Sequence, residues 1–304
     1  MFHQRKFSVS NLVLVLALLL AACAPATQAP AASTSTPLPI PPTYTPIPTK
    51  AAEAAPAEPT KAPEPTNTSA PEALVNAWGV TLPADAAPLD QQYIRIMGDA
   101  GGVTGDFAVS VYKRASSYMS IQSTPMVRLN KNFEILPAGA LSYENSADGK
   151  TWTFYMDPNL KWSDGNPVLA DDVVFTFQYQ ADPKHAWDFT WFWSDIVNFD
   201  EAVAGTVALD EIGVKKIDDY TVAFTTKDAS PYFPSKALYI RPLSKVAFEK
   251  SGEYYDNTPE TAVSSSPWIL TEWTKGTRVV FGPNKNYTGN LKPYIERLII
   301  DLAN

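Results

Sequence analysis

A proline-rich segment near the start of the chain restricts where a folded domain can lie. Residues 24–73 consist almost entirely of Pro, Ala, Thr, Ser and Glu, and contain about half of the 27 prolines in this 304-residue sequence. Such a segment buries too little apolar surface to offset the entropy lost on ordering, which predicts an extended, partly polyproline tether. Aromatic residues become frequent only from Leu74 onward. A domain with a hydrophobic core is therefore expected at residues 74–304.

The residues before the tether have the pattern of an export signal. Basic residues precede an apolar run of 11 residues at Leu12–Ala22, whereas a membrane-spanning helix needs about 20. A basic n-region, a short apolar h-region and small residues at the cleavage site predict a signal peptide at residues 1–22. Cys23 then ends the sequence Leu-Ala-Ala-Cys, which resembles the bacterial lipobox. We expect lipidation of Cys23 and membrane anchoring through residues 23–73, since two acyl chains anchor a protein durably.

Cysteine use and net charge exclude several classes of function. Cys23 is the only cysteine, so once it is acylated no disulfide framework, thiolate nucleophile or cysteine metal site is expected. The formal net charge is −8, and the basic and acidic residues of the first 73 positions cancel. Nucleic acid and anionic lipid both require a basic surface. We therefore expect no nucleic-acid partner, and contact with the membrane through the lipid anchor.

Residues 74–304 contain patterns of both strands and helices. The pair Asp148-Gly149 precedes the aromatic, β-branched run Thr151–Met156, which predicts a hairpin strand. Two more hairpins are predicted, one with strands at 213–217 and 220–226 and one around Lys275-Gly276. A helix is predicted at Asp171–Gln180, because acidic residues occupy its first turn and Asp182-Pro183 follows it. The mixture indicates an α/β fold.

The order of these segments resembles a known family. The stretch Ser146–Pro183, SADGKTWTFYMDPNLKWSDGNPVLADDVVFTFQYQADP, is similar to the signature region of the family 5 extracellular solute-binding proteins of ABC importers, which include oligopeptide- and dipeptide-binding members. Further similar stretches follow the family's order: Ala87–Gln92, Thr124–Glu144, Glu211–Pro234 and Ser264–Tyr287. The resemblance extends from about Val80 to Leu302.

The resemblance implies a periplasmic-binding-protein-like fold of type II. Members of this family are two-lobed clamps that enclose a ligand between the lobes. The end of this sequence, Tyr294–Asn304, resembles the strand that first crosses toward the second lobe. We therefore expect a truncated N-terminal lobe with mixed sheets and a second lobe that is largely missing. A non-functional truncated fragment remains one alternative.

The resemblance also implies a ligand-binding site without catalytic residues. Gly101 and Gly102 are expected to permit close approach of a ligand, and Ser265 to supply a hydrogen-bond partner. The family's Gly-Pro-Tyr is replaced here by Ser266-Pro267-Trp268, and Trp268 is expected to stack on the ligand. In the segment His185–Trp193, aromatic residues alternate as they would along an extended strand, and Trp191 and Trp193 are expected to form an apolar cleft wall.

These observations favour a binding protein over an enzyme. The mature chain has a single histidine, His185, and the acid pairs Asp171-Asp172 and Asp218-Asp219 fit a helix start and a hairpin turn better than facing glycosidase carboxylates. No metal or other cofactor is expected. We predict an extracytoplasmic lipoprotein that captures oligopeptides or dipeptides and delivers them to the membrane permease of an ABC importer. Because the aromatic segment could also stack on sugars, an oligosaccharide-binding receptor of the same fold is the other alternative.

Overall fold

The computed structural model describes residues 73–99, 108–111 and 121–303, with only the backbone described for Asp99 and Ala303. In this part of the chain the α-helices are α1 (Ala170–Ala181), α2 (Phe199–Val203), α3 (Phe233–Lys236) and α4 (Lys245–Ser251). The strands are β1 (Tyr93–Asp99), β2 (Val127–Leu129), β3 (Ile135–Pro137), β4 (Ala140–Asn145), β5 (Thr151–Met156), β6 (Val214–Asp218), β7 (Thr221–Thr225), β8 (Trp268–Thr274), β9 (Arg278–Pro283) and β10 (Arg297–Ala303).

The first four-stranded sheet is antiparallel and has the strand order β4-β5-β7-β6. The predicted strand at Thr151–Met156 is confirmed with the same bounds, and the predicted hairpin after it is formed by β6 and β7. Strand β7 lies between β5 and β6, and every residue of it except the last is buried, so side chains on both faces of the strand are covered. Burial on both faces explains its continuous apolar character.

Helix α1 packs on this sheet and forms the main hydrophobic core. The predicted helix is confirmed and is one residue longer at each end than expected. Phe177 of α1 lies against Phe224 of β7 with ring centroids 5.3 Å apart, and Phe224 in turn contacts Phe154 of β5 at 5.6 Å. All three rings are buried. Edge-to-face aromatic pairs of this kind add to the stabilisation from burial.

The second four-stranded sheet is mixed and has the strand order β1-β10-β9-β8. Strand β1 runs parallel to β10, with Tyr93 opposite Arg297, whereas β10, β9 and β8 pair antiparallel. The predicted hairpin around Lys275-Gly276 is therefore confirmed as β8 and β9. Side chains of this sheet form a smaller core, which includes Leu270, Phe281 and Ile300. The combination of mixed sheets and helices confirms the α/β prediction.

The alternation of aromatic residues in His185–Trp193 predicted an extended segment after α1. This prediction is wrong for the end of the segment. Thr190–Trp193 forms a 3-10 helix, so successive side chains no longer point to two opposite faces. Trp193 is 1% exposed and packs against Phe177 at 4.9 Å, whereas Trp191 is 63% exposed. Lys236 lies 5.1 Å from the Trp193 ring centroid and pairs with Asp195. Burial lowers the pKa of Lys236, although Asp195 favours its charged form.

Asp172 connects three segments at the start of α1. It is buried, and its carboxylate accepts hydrogen bonds from Trp162 Nε1 at 3.0 Å, from Leu169 N at 3.0 Å and from Lys245 N at 2.9 Å. Burial raises the pKa of Asp172, while the three N–H donors favour its ionised form. The side chain thus joins the β5–α1 connection and the first turns of α1 and α4. Among the described residues, no helix has the length and apolar character needed to span a membrane.

Candidate functional site

A cavity of about 360 Å³ lies where the chain before β2 meets the loop before β8 and the connection between β9 and β10. We call it the arginine cavity, because two of its lining residues are arginines. The described residues that line it are Ile121, Ser123, Thr124, Pro125, Arg128, Ala138, Arg241, Ser266, Pro267, Trp268, Tyr287, Asn290 and Leu291. Its volume lies at the lower end of the roughly 300–1,000 Å³ typical of small-molecule sites.

Backbone and side-chain hydrogen bonds fix one side of the arginine cavity. Ser265 N donates to Gln122 O at 2.9 Å, and Thr124 N donates back to Ser265 Oγ at 2.9 Å. Thr124 Oγ1 also donates to Ser265 O at 2.6 Å. Asn284 Nδ2 donates to Ser266 O at 2.9 Å from the end of β9. Because these groups are buried and paired, internal hydrogen bonds fix the conformation of the loop.

Trp268 forms an apolar part of the cavity lining. Its indole Nε1 donates to Ile295 O at 3.3 Å, and its ring packs edge-to-face on Trp78 at 5.9 Å. Trp78 Nε1 in turn donates to Pro267 O at 3.1 Å. The two tryptophans therefore place the Pro267-Trp268 step by packing and by hydrogen bonds. Trp268 remains half-buried, which leaves part of its surface available to the cavity.

The two arginines enter the cavity from distant parts of the sequence. Arg128 is the central residue of the short strand β2, between buried Val127 and exposed Leu129. Arg241 lies in the connection between α3 and α4, and its Nη1 donates to Ser123 O at 2.6 Å. That connection is itself tied to the segment before β2, because Met126 N donates to Ile240 O at 3.1 Å. These contacts bring two positive charges to one cavity.

Tyr287 brings a hydroxyl to the same cavity. Its oxygen accepts a hydrogen bond from Leu291 N at 3.2 Å. Burial raises the pKa of the Tyr287 hydroxyl, while the bond from Leu291 and the positive charge of Arg128 act in the opposite direction. Arg128 and Tyr287 both line this cavity. Tyr287 and Arg128 therefore form one polar region in an otherwise largely apolar lining.

The structure brings one of the predicted site residues, Trp268, to the arginine cavity. Ser265 is buried, and its hydroxyl accepts from Thr124 N, so it braces the loop while its neighbour Ser266 lines the cavity. Trp193 belongs to the hydrophobic core rather than to a cleft wall, because its ring is enclosed by Phe177 and other rings. Trp191 is exposed and lies outside the cavity lining. Three predicted positions lie outside the described residues: Cys23, Gly101 and Gly102.

The candidate catalytic groups considered from the sequence occupy structural positions. The His185 ring packs on Tyr179 with centroids 4.1 Å apart. Asp218 Oδ1 accepts from Tyr220 N in the turn between β6 and β7, and Asp219 pairs with Lys216. No cluster of three or more His, Cys, Asp or Glu suited to a metal ion occurs within the described residues.

Comparison with known proteins assigns the chain to a family. Residues 134–304, more than half of the chain, match the model of the bacterial extracellular solute-binding proteins, family 5 (middle region). The chain belongs to this family. The family 5 assignment agrees with the resemblance drawn from Ser146–Pro183, and the arginine cavity is formed in part by residues inside the matched region, including Ala138, Arg241 and Trp268.

Individual family 5 relatives cover part of the chain. The periplasmic oligopeptide-binding protein OppA of Salmonella typhimurium is 34% identical over 166 residues, which are 53% of this chain and 30% of that protein. The periplasmic murein peptide-binding protein MppA of Escherichia coli is 28% identical over 177 residues, 57% of this chain and 32% of that protein. The chain thus spans about a third of the length of these curated relatives.

A solved family 5 structure supports the type II fold. The crystal structure of Haemophilus influenzae OppA in complex with the peptide RPPGFSPFR superimposes with a TM-score of 0.62 and 26% sequence identity. The match covers 71% of this chain and 43% of that chain. The α/β architecture with mixed sheets is therefore that of the periplasmic peptide-binding proteins, as the sequence resemblance implied.

Three cavity residues, Arg128, Arg241 and Tyr287, were not among the predicted site residues. Arg128 carried one available signal, since it is a basic residue within the apolar run Met126–Leu129 of an acidic chain. Arg241 and Tyr287 carried none, because their proximity to Arg128 depends on long-range packing.

Proposed function

We propose that the chain is the substrate-binding lipoprotein of an ABC importer, which captures peptides outside the cytoplasm and delivers them to the membrane permease. The observation that carries this proposal is the match to OppA, whose solved structure contains a bound peptide and shares the fold over 71% of this chain. The arginine cavity supports it, because rigid loop backbone, an indole surface and a few polar groups are features of small-ligand sites.

The proposed role is binding without chemical conversion. The described residues that line the arginine cavity include no Asp, Glu, His or Cys. These side chains are the usual acids, bases and nucleophiles of enzyme sites. The cavity instead presents guanidinium, hydroxyl and amide groups beside an indole ring, which suit recognition by hydrogen bonding and stacking. The lining therefore favours a receptor.

We further propose the domain boundaries expected from the sequence: a signal peptide at 1–22, a lipidated tether at 23–73 and the binding domain at 74–304. Contacts near the start of the described region support the last boundary. Asn76 Nδ2 donates to Pro293 O at 2.8 Å, and Val75 forms an isolated β-bridge with Thr81. The polypeptide is therefore integrated into the domain within a few residues of Leu74. The protein would be extracytoplasmic and anchored to the cell membrane.

Peptide binding to the purified full chain is the first test. We expect the tripeptide Ala-Ala-Ala to bind saturably in isothermal titration, and Trp268→Ala to weaken binding by roughly 10-fold to 100-fold, because burying an apolar side chain contributes about 1.5–3 kcal/mol. Tyr232→Ala is the matched control, since Tyr232 is exposed and does not line the cavity. Circular dichroism of each variant verifies that it is folded.

The outcome that contradicts this proposal is equally specific. Binding of maltotriose with no binding of any tripeptide would assign the chain to the oligosaccharide receptors instead. Equal peptide affinity in wild type and in a folded Trp268→Ala variant would show that the arginine cavity is not the peptide site.

Anchoring is tested at the single cysteine. We expect Cys23→Ser to abolish incorporation of a fatty-acid probe during metabolic labelling and to release the protein from the membrane fraction, because the sulfur is the proposed acylation site. Ser33→Ala, a substitution within the tether, is the control and should leave labelling unchanged. Labelling of the Cys23→Ser protein at the wild-type level would refute the lipoprotein assignment.

A further inference from the structure

We propose that the arginine cavity is a carboxylate-binding subsite in which the Arg128 guanidinium binds a carboxylate of the ligand. The inference rests on the proposed function only for the ligand class, peptides. Three features of the cavity support its specificity for a negative charge: the charge of its lining, the pairing of Arg128 and the groups around Arg128.

The first observation is the sign of the charge in the cavity. Two arginines line it, and none of the described lining residues is acidic, although the chain as a whole has a net charge of −8. Both arginines are half-buried, and a charge that loses part of its contact with water is costly unless an opposite charge or hydrogen bonds compensate it. An anionic group of a ligand in the cavity would supply this compensation.

The second observation is that Arg128 differs from every other described arginine. Arg95 and Arg278 donate to Asp301, Arg241 donates to Ser123 O, and Arg297 donates to Asp90 O. Within the described part of the chain, the Nε atom of Arg128 is buried without a hydrogen-bond partner. Buried polar groups are nearly always paired, so an orphaned buried donor needs an explanation. A ligand that accepts a hydrogen bond from Arg128 Nε would explain this unpaired donor.

The third observation is the arrangement around Arg128. Tyr287 lines the same cavity, and because the phenol oxygen accepts from Leu291 N, its own O–H can donate to a ligand oxygen. Trp268, Pro267 and Ile121 provide an apolar part of the lining. A guanidinium binds a carboxylate through two parallel N–H···O bonds, which are stronger where water is excluded. The site therefore combines a charge, a hydroxyl donor and an apolar surface.

The size of the cavity limits what part of a ligand can enter. A volume of about 360 Å³ is at the small end of the range for ligand sites, which runs from roughly 300 to 1,000 Å³. It suits one end of a peptide or one side chain rather than an entire long peptide. The carboxylate could come from the C-terminus of the peptide or from an Asp or Glu side chain, and the two sources are distinguishable by amidation.

The test uses isothermal titration of the full chain with four peptides: Ala-Ala-Ala, its C-terminal amide, Ala-Glu-Ala amide and Ala-Gln-Ala amide. We expect one carboxylate peptide to bind roughly 10-fold to 100-fold more tightly than its neutral counterpart, as charge-assisted hydrogen bonds imply. A preference for Ala-Ala-Ala over its amide assigns the C-terminus, and a preference for Glu over Gln assigns the side chain. In Arg128→Met the preference should disappear while the neutral peptides keep their affinity.

Arg95→Met is the matched control, because Arg95 is exposed, pairs with Asp301 and does not line the cavity. It should retain the wild-type preference. Arg128→Met should melt no lower than wild type, since it removes a half-buried cation whose Nε atom is buried without a hydrogen-bond partner. If it does not fold, Arg128→Gln replaces it in the same titrations.

Two results would overturn the proposal. The first is equal affinity of wild type for the charged and neutral member of both peptide pairs, and the second is a preference that survives in folded Arg128→Met. Absence of binding for all four peptides would refute the proposed function, and N-acetylalanine then tests the subsite separately by NMR. Shifts that depend on Arg128 would support the subsite, and their absence would exclude it.

Discussion

Replacing Trp193 by alanine is expected to lower the free energy of unfolding by about 3–5 kcal/mol, the range for truncation of a large buried aromatic side chain. Trp193 is 1% exposed, and its ring lies 4.9 Å from Phe177 and 4.7 Å from Phe192. Its removal leaves a cavity at the contact between α1 and the 3-10 helix, and it also removes the ring beside the Lys236 ammonium group. Thermal unfolding followed by far-ultraviolet circular dichroism measures the loss.

Trp191 provides the matched control, since it lies two residues away and is 63% exposed. Trp191→Ala should change the free energy of unfolding by about 0.5 kcal/mol or less, as is usual for surface substitutions. Similar losses of unfolding free energy for the two variants would contradict a buried Trp193 ring beside an exposed Trp191 ring. Unchanged stability of Trp193→Ala would remove this segment from the core altogether.

Replacing Asp172 by alanine is expected to cost about 3 kcal/mol, because the buried Trp162 Nε1–H and the part-buried N–H groups of Leu169 and Lys245 lose their acceptor, and an unsatisfied buried donor costs about 1–3 kcal/mol. The donors belong to Trp162, Leu169 and Lys245, so three segments lose their common contact. Asp172→Asn should give a smaller loss. One amide oxygen can still accept, but the amide nitrogen cannot, and at least one N–H remains unpaired.

The preceding residue offers a direct comparison. The Asp171 side chain is 47% exposed and pairs with Lys216 at the surface. Asp171→Asn should change stability little, because exposed ion pairs contribute weakly and are screened by salt. Denaturant unfolding of all three variants in the same buffer tests the order Asp172→Ala, Asp172→Asn, Asp171→Asn. An equal effect of the two asparagine variants would show that the buried hydrogen bonds do not control the start of α1.

Secondary structure in the domain was largely predictable from local sequence. The bounds of β5 agree with the prediction, and α1 differs by one residue at each end. Both elements depend on short-range signals: an Asp-Gly turn before β5, and acidic residues in the first turn of α1 before the closing Asp182-Pro183. The family could also be recognised, because its signature Ser146–Pro183 is continuous in sequence.

The site was predicted less well, since its residues converge only through tertiary packing. Arg128 and Arg241 are separated by more than a hundred positions and line one cavity because Met126 N bonds to Ile240 O. No local pattern encodes that approach. The same limit applies to Ser265 and Ser266, which are adjacent and chemically identical, yet one braces the loop and the other lines the cavity.

Trp191 and Trp193 show most clearly which features local sequence determines and which depend on tertiary packing. The sequence by itself determined the acidic α/β character of the domain, the helix α1, the strands β5 to β9 and the family, because composition, turn residues and periodicity act over a few neighbouring positions. Tertiary structure alone decided that Trp193 is core and Trp191 is surface, since a 3-10 helix replaced the extended segment and turned the two rings to different environments. Burial depends on what packs from distant parts of the chain, and that information is not local.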